Sequence, residues 1–93
     1  MTTNRPNDPF ALGLAALAAT LGDERRARRF LDMTGIGTDE LRCRAADPVL
    51  LTALLAFLEA HEPDLMDVAE AIGIEPKALV AARHELEAEG GSE

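Results

Sequence analysis

Tryptophan and tyrosine are absent from this 93-residue chain, which contains only three phenylalanines. The composition is 47% hydrophobic and is dominated by alanine and leucine, whereas strands draw on aromatic and β-branched residues. The length suits one domain with a modest core and is too short for two independent domains. We therefore expect a single all-α domain.

Cysteine and basic residues are also scarce. Cys43 is the only cysteine, so the chain cannot form an internal disulfide, and we expect a cytoplasmic protein. Lys and Arg total 9 against 17 Asp and Glu, which gives a formal net charge of -8. Such a charge repels nucleic acid phosphates and anionic membranes at long range. Nucleic acid is therefore an unlikely partner, and we expect no membrane association.

No hydrophobic run is long enough to cross a bilayer. The uncharged run Phe10–Leu21 falls well short of the roughly 20 residues that a transmembrane helix needs. A signal peptide is the alternative for this run, but Asp8 and Pro9 stand where a signal would carry positive charge. Asp8 is instead suited to cap a helix that begins at Pro9.

The spacing of hydrophobic residues, together with capping residues, prolines and glycines at the ends of segments, predicts six helices. The runs Phe10–Leu21 and Val49–Leu58 carry no charged residue, so we expect neighbours on all their sides and a place at the centre of the core. The other four helices are predicted to begin near Asp23, Thr38, Glu62 and Pro76, and glycines end several of them.

Two halves of the chain share a pattern at an offset of 38 residues. Gly35 and Ile36 correspond to Gly73 and Ile74, and Leu41 corresponds to Leu79. We therefore predict a compact six-helix bundle made of two three-helix pseudo-repeats that pack through their uncharged helices. The predicted domain spans 8–89, with repeats at about 8–46 and 47–89, a mobile tail at 1–7 and a second tail at 90–93.

The segment Val68–Arg83 has the spacing of a helix-turn-helix. A DNA-reading second helix should present Arg, Lys, Asn or Gln near its start, but this one offers Glu75, Lys77 and Ala78. We interpret the segment as an architectural corner. A helix-turn-helix DNA-binding protein that uses the basic first repeat remains the alternative.

Charge is distributed unevenly between the halves. Residues 1–46 hold seven basic and six acidic groups, whereas residues 47–93 hold two and eleven. The predicted partner-binding residues form an Arg-rich face of the first repeat: Arg25, Arg28, Arg29, Arg42 and Arg44. Guanidinium groups bind carboxylates in bidentate fashion, so an acidic protein surface is the favoured partner. Self-association, a merely solvated face and, less favoured, nucleic acid binding are the alternatives.

No residue pattern indicates an enzyme. Cys43 has no histidine near it in sequence, and we interpret it as a small residue that fills a gap on a short helix. His61 and His84 lack the ligand spacing of a metal site, and no phosphate-binding loop is present. We expect no catalytic residue, no metal and no cofactor.

The segment 29–86 resembles a family of short, mostly alphaproteobacterial proteins classed as a domain of unknown function. The resemblance rests on Gly35-Ile36 with Asp39 to Arg42, Ala45-Ala46-Asp47-Pro48, Phe57-Leu58, Gly73-Ile74 with Pro76, and Ala82-Arg83. It implies a small soluble bacterial cytoplasmic protein and supplies no site residues. Together with the charge pattern, it favours a non-enzymatic protein–protein interaction or regulatory adaptor module that uses the Arg-rich face.

Overall fold

The computed structural model describes residues 8–90, with side chains through residue 88. This part of the chain is all-helical and has no strand, which confirms the predicted fold class. The six helices are α1 (Pro9–Leu21), α2 (Glu24–Thr34), α3 (Thr38–Cys43), α4 (Pro48–Glu59), α5 (Glu62–Ile72) and α6 (Pro76–Gly90). The predicted tail at 1–7 lies outside the described residues, as do residues 91–93 of the predicted tail at 90–93, while Gly90 belongs to α6.

Aspartate side chains cap three of the helices at their N-termini. The Asp8 carboxylate accepts a hydrogen bond from the Ala11 amide at 3.2 Å, and Asp47 accepts one from the Val49 amide at 2.9 Å. Asp23 caps α2 in the same way. The predicted Asp-Pro helix starts are thus confirmed. The third helix begins at Thr38, as predicted, with Gly37 at the capping position and no hydrogen bond from a capping side chain.

The core lies where α1, α4 and α6 pack together, with α5 against α1. Leu51, Leu54 and Leu55 of α4 are fully buried there. The helices α1 and α4 approach closely at Gly13, where an added Cβ atom would lie 3.2 Å from Leu51 Cβ. The two uncharged helices are therefore central, as their composition predicts.

These two helices are nevertheless not covered on every side. Val49 of α4 is 65% exposed, and Ala56 on the same helix is exposed too. On α1, Ala11, Ala18 and Leu21 face solvent. The prediction of neighbours on all sides is wrong, because the remaining helices cover only part of the α1 and α4 surfaces.

The two halves share helix boundaries but not packing. The helices α2 and α5 begin at 24 and 62 and end at 34 and 72, and each is followed by a glycine with positive φ, Gly35 (φ 74°) and Gly73 (φ 79°). However, α6 has 15 residues and packs on α1 and α4, whereas α3 has six residues and makes only peripheral contacts. The pseudo-repeat therefore stays a prediction.

Candidate functional site

A charged cleft of about 780 Å³ lies beside α2 and the start of α5, and we call it the α2–α5 cleft. Its walls carry four arginines, five carboxylates and one histidine, which are Arg25, Arg26, Arg28, Arg29, Asp23, Glu24, Asp32, Asp64, Asp67 and His61. Four arginines cluster here because α2 contains two Arg-Arg pairs within five residues.

Asp64 forms the buried centre of this cleft, with only 4% of its surface exposed. Arg26 Nε donates to Asp64 Oδ1 at 2.9 Å, and His61 Nδ1 lies 3.0 Å from Asp64 Oδ2. Arg29 also donates to Oδ2. Asp64 thus joins α2 to the first turn of α5.

The environment of Asp64 keeps its carboxyl group ionised. Burial by itself raises the pKa of Asp64, but hydrogen bonds from Arg26, Arg29 and His61 outweigh it and hold the pKa below the ordinary 3.8. A second Arg26 contact, from Nη2 to Asp67 Oδ2 at 3.1 Å, extends the network along α5. Asp64 is therefore an ionised partner in fixed ion pairs rather than a carboxyl group poised to exchange protons near neutrality.

Arg29 is held from a second direction by an aromatic ring. Its guanidinium carbon lies 5.5 Å from the centre of the Phe57 ring, within the range of a cation–π interaction. Phe57 in turn packs edge-to-face against Phe30, with ring centres 5.3 Å apart. Both contacts restrict Arg29, although 46% of its side chain remains exposed.

The structure separates the five predicted partner-binding arginines into three groups. Arg25 and Arg28 line the cleft, are exposed, and have no ion-pair partner among the described residues. Arg29 also lines the cleft but binds Asp64. Arg42 is exposed outside the cleft, and Arg44 binds Glu40 at 3.4 Å and Asp47 at 3.2 Å. Only Arg25, Arg28 and Arg29 are brought together.

Arg26, Asp64 and Asp67 were not predicted as site residues. Their roles depend on a contact between segments that lie far apart in the sequence. One signal was present, because Arg26 and Asp64 are separated by the same 38 residues that relate the two halves. Opposite charges at equivalent positions of two halves that pack together indicate an ion pair between the halves.

The remaining candidate residues show no catalytic arrangement. Cys43 is exposed, so its interpretation as a gap-filling residue is wrong. His84 is exposed on α6, away from the cleft. Among the described residues, no three His, Cys, Asp or Glu side chains come together in a group suited to a metal ion.

The predicted corner between α5 and α6 presents little basic surface. Arg83 of α6 is bound by Glu59 and, at 2.7 Å, by Glu87, and these hydrogen bonds raise the pKa of Arg83 above its ordinary value. Lys77 and Glu85 are exposed on the same helix, and Glu75 is exposed just before it. A phosphate backbone approaching α6 would meet more carboxylates than free cations.

Fold and cleft define a small all-α protein in which a partly buried Arg–Asp network joins α2 to α5. No helix within residues 8–90 is long and apolar enough to cross a membrane. Residues 6–89 match the model of a family whose description is "Protein of unknown function (DUF3572)". The chain belongs to that family. No curated protein and no solved structure matches it. The resemblance seen in the sequence is confirmed at the level of the family, while its alphaproteobacterial range remains a prediction.

Proposed function

We propose that this protein is a non-enzymatic interaction module that docks an acidic protein surface through Arg25 and Arg28. The supporting observation is that these two exposed arginines have no ion-pair partner in the described chain, whereas Arg26 and Arg29 beside them are committed to Asp64. The Arg-rich face predicted from the sequence is thereby reduced to the part that lines the α2–α5 cleft.

The ion pairs of α2 with α5 hold α2 in place for binding a partner. Arg26 is held by Asp64 and Asp67, so the N-terminal half of α2 is fixed to α5. Arg25 and Arg28 lie three positions apart on that helix and are therefore neighbours on its surface. Because the backbone that carries them is already ordered, binding through these two side chains adds no cost of ordering a loop or folding a segment.

The charges around these arginines favour a protein partner over nucleic acid. Glu24 and Asp32 are exposed in the same cleft, where they would repel a continuous phosphate backbone. A folded protein presents discrete carboxylates, which two guanidinium groups can select individually. We therefore expect no affinity for duplex DNA even at low salt.

Charge reversal tests this function. The variant Arg25→Glu/Arg28→Glu removes both unpaired cations, and its matched control is Arg42→Glu/Lys77→Glu, which changes two exposed cations outside the cleft. Both variants change the net charge by the same amount. We expect crosslinking capture from native cell extract to recover one partner with the wild type and the control but not with the cleft variant.

Three outcomes would contradict the proposal. If the control variant loses the partner as fully as the cleft variant, only net charge matters. If both variants retain the partner equally, the cleft is excluded as the binding site. A duplex mobility shift that weakens with salt and with the cleft reversal would favour the DNA-binding alternative. Sedimentation of wild type and cleft variant separates a foreign partner from self-association, because only self-association changes the mass of the purified protein.

A further inference from the structure

An exposed uncharged surface follows α4 on its outer side. Val49 is 65% exposed, Ala56 is exposed, and Thr52 and Ala53 between them are half-buried. These residues recur at helical spacing, so they form one stripe about two turns long. No charged residue interrupts α4 from Pro48 to Leu58.

This stripe forms one wall of a groove of about 300 Å³, and we call it the α4–α6 groove. Leu86 of α6 contributes to the floor and Glu87 to the rim. The groove shares no lining residue with the α2–α5 cleft. An apolar groove of this length accommodates two or three side chains of a docked helix.

The rim of the groove carries net negative charge. Arg83 is the cation bound to Glu87, but it is shared with Glu59, so one positive charge faces two carboxylates. The chain as a whole has a formal net charge of -8, so a second copy that approaches the groove is repelled at long range. Any partner that seats here must approach a negative surface.

The negative charge of the groove rim favours a foreign partner over a second copy of this chain as the occupant of the groove. A two-fold symmetric dimer through α4 would bring two copies of the same negatively charged rim together, because both subunits use the same surface. Like charges across an interface disfavour association, whereas a basic partner is attracted. The apolar stripe and the negative rim together match a helix with one apolar side and Lys or Arg beside it.

We propose that the α4–α6 groove binds an amphipathic helix of a partner protein, with the apolar side of that helix in the groove and its basic residues beside Glu87. This binding surface is separate from the one assigned to Arg25 and Arg28. A protein with both surfaces joins an acidic partner to a basic helical one.

A designed peptide provides the test. The probe is a labelled helix of about 18 residues made of leucine and lysine, and its counterpart carries glutamate in place of lysine. The groove variant Val49→Gln/Ala56→Gln adds polar atoms without changing charge. Its matched control, Ala18→Gln/Ala71→Gln, alters exposed alanines on α1 and α5.

We expect the leucine–lysine peptide to bind the wild type and the control equally, and the groove variant about tenfold or more weakly. In NMR spectra, the largest changes in amide chemical shift on binding should occur in α4 and α6. The proposal is overturned if both variants bind alike, if the glutamate peptide binds as tightly as the lysine peptide, or if the wild type dimerises through a contact that Val49→Gln/Ala56→Gln abolishes. Unchanged urea midpoints of both variants confirm that binding, rather than folding, is being measured.

Discussion

Asp64 carries an ionised carboxylate in a site that is almost closed to solvent. Its two oxygens receive hydrogen bonds from Arg26 and Arg29, so the cost of burying the charge is offset by close opposite charges. The basic first half and the acidic second half of the chain therefore meet inside one molecule. Arginines used in this way are unavailable to a partner.

Replacing Asp64 by asparagine should lower the free energy of unfolding by about 2 kcal/mol, because Arg26 and Arg29 then lose the charge that they bind. Urea denaturation measures the change. Asp67→Asn is the control, since the Asp67 side chain is 64% exposed and its pair with Arg26 should contribute less than about 1 kcal/mol. Equal effects at the two positions would contradict a special role for Asp64.

The same substitution has a predictable pH dependence. The folded pKa of Asp64 lies below 3.8, so the unfolded state binds more protons when the pH falls through this region. The stability that Asp64 contributes is therefore fully present above about pH 5 and is lost as the pH falls from there toward the folded pKa. The difference in urea midpoint between wild type and Asp64→Asn should shrink over this range. A difference that grows on acidification would show that the pKa is raised instead.

Thr20 illustrates a different kind of buried polar group. Its side chain is fully buried on α1, and its hydroxyl oxygen has no hydrogen-bond partner within the described chain. Thr20→Val keeps the shape and removes the unpaired hydroxyl, so we expect a stability gain of about 1 kcal/mol in thermal or urea unfolding. Thr20→Ser keeps the hydroxyl and removes a methyl group, and it should destabilise by a similar amount. A loss with both variants would indicate that the hydroxyl is satisfied.

At the scale of the helix, three glycines end helices in two different ways. Gly35 and Gly73 follow α2 and α5 with φ of 74° and 79°, a region that other residues adopt only at a cost. Gly22 follows α1 with φ of -76°, which any residue adopts. The same residue type is thus required at two helix ends and optional at the third.

Alanine substitution should distinguish these positions. Gly73→Ala places a Cβ atom in the left-handed region and should cost about 1 kcal/mol of stability. Gly22→Ala meets only ordinary contacts, 3.5 Å from the Ala19 carbonyl oxygen, and should leave stability unchanged or slightly raised. Thermal unfolding of the two variants provides the comparison. Equal destabilisation would mean that the backbone relaxes away from positive φ after α5.

At the scale of the whole molecule, α1 depends on the second half of the chain. It packs on α4, α5 and α6, and Gly13 lies directly against Leu51. Within its own half, α1 meets mainly α2. The apolar surface of α1 is therefore covered by residues that lie beyond Asp47.

A fragment of residues 1–46 should consequently fail to fold by itself. Removal of α4, α5 and α6 exposes Leu12, Ala16 and Leu17, and the remaining helices offer no replacement for that burial. We expect low helicity and no cooperative melt by circular dichroism, with helicity regained when fragment 47–93 is added. A cooperative melt of 1–46 alone would show an autonomous first half.

Much of the architecture follows from local sequence. Local signals predict where the main helices begin and end, namely the capping residues Asp8 and Asp47 and the glycines after α2 and α5. The two uncharged runs predict which helices lie at the centre. The site is less predictable. Arg25, Arg28 and Arg29 were identified from composition, but whether each is free or bound depends on carboxylates of α5 that only folding brings near.

The sequence by itself determined that this is an all-α protein with six helices and a leucine-rich core, because capping and periodicity act over a few residues. Tertiary structure alone decided that Asp64 binds Arg26 and Arg29 and that Arg25 and Arg28 have no ion-pair partner within residues 8–90. It also decided that one side of α4 stays open at Val49. Ion pairing and burial depend on distances across helix interfaces, and residues 38 positions apart become neighbours only when the helices pack.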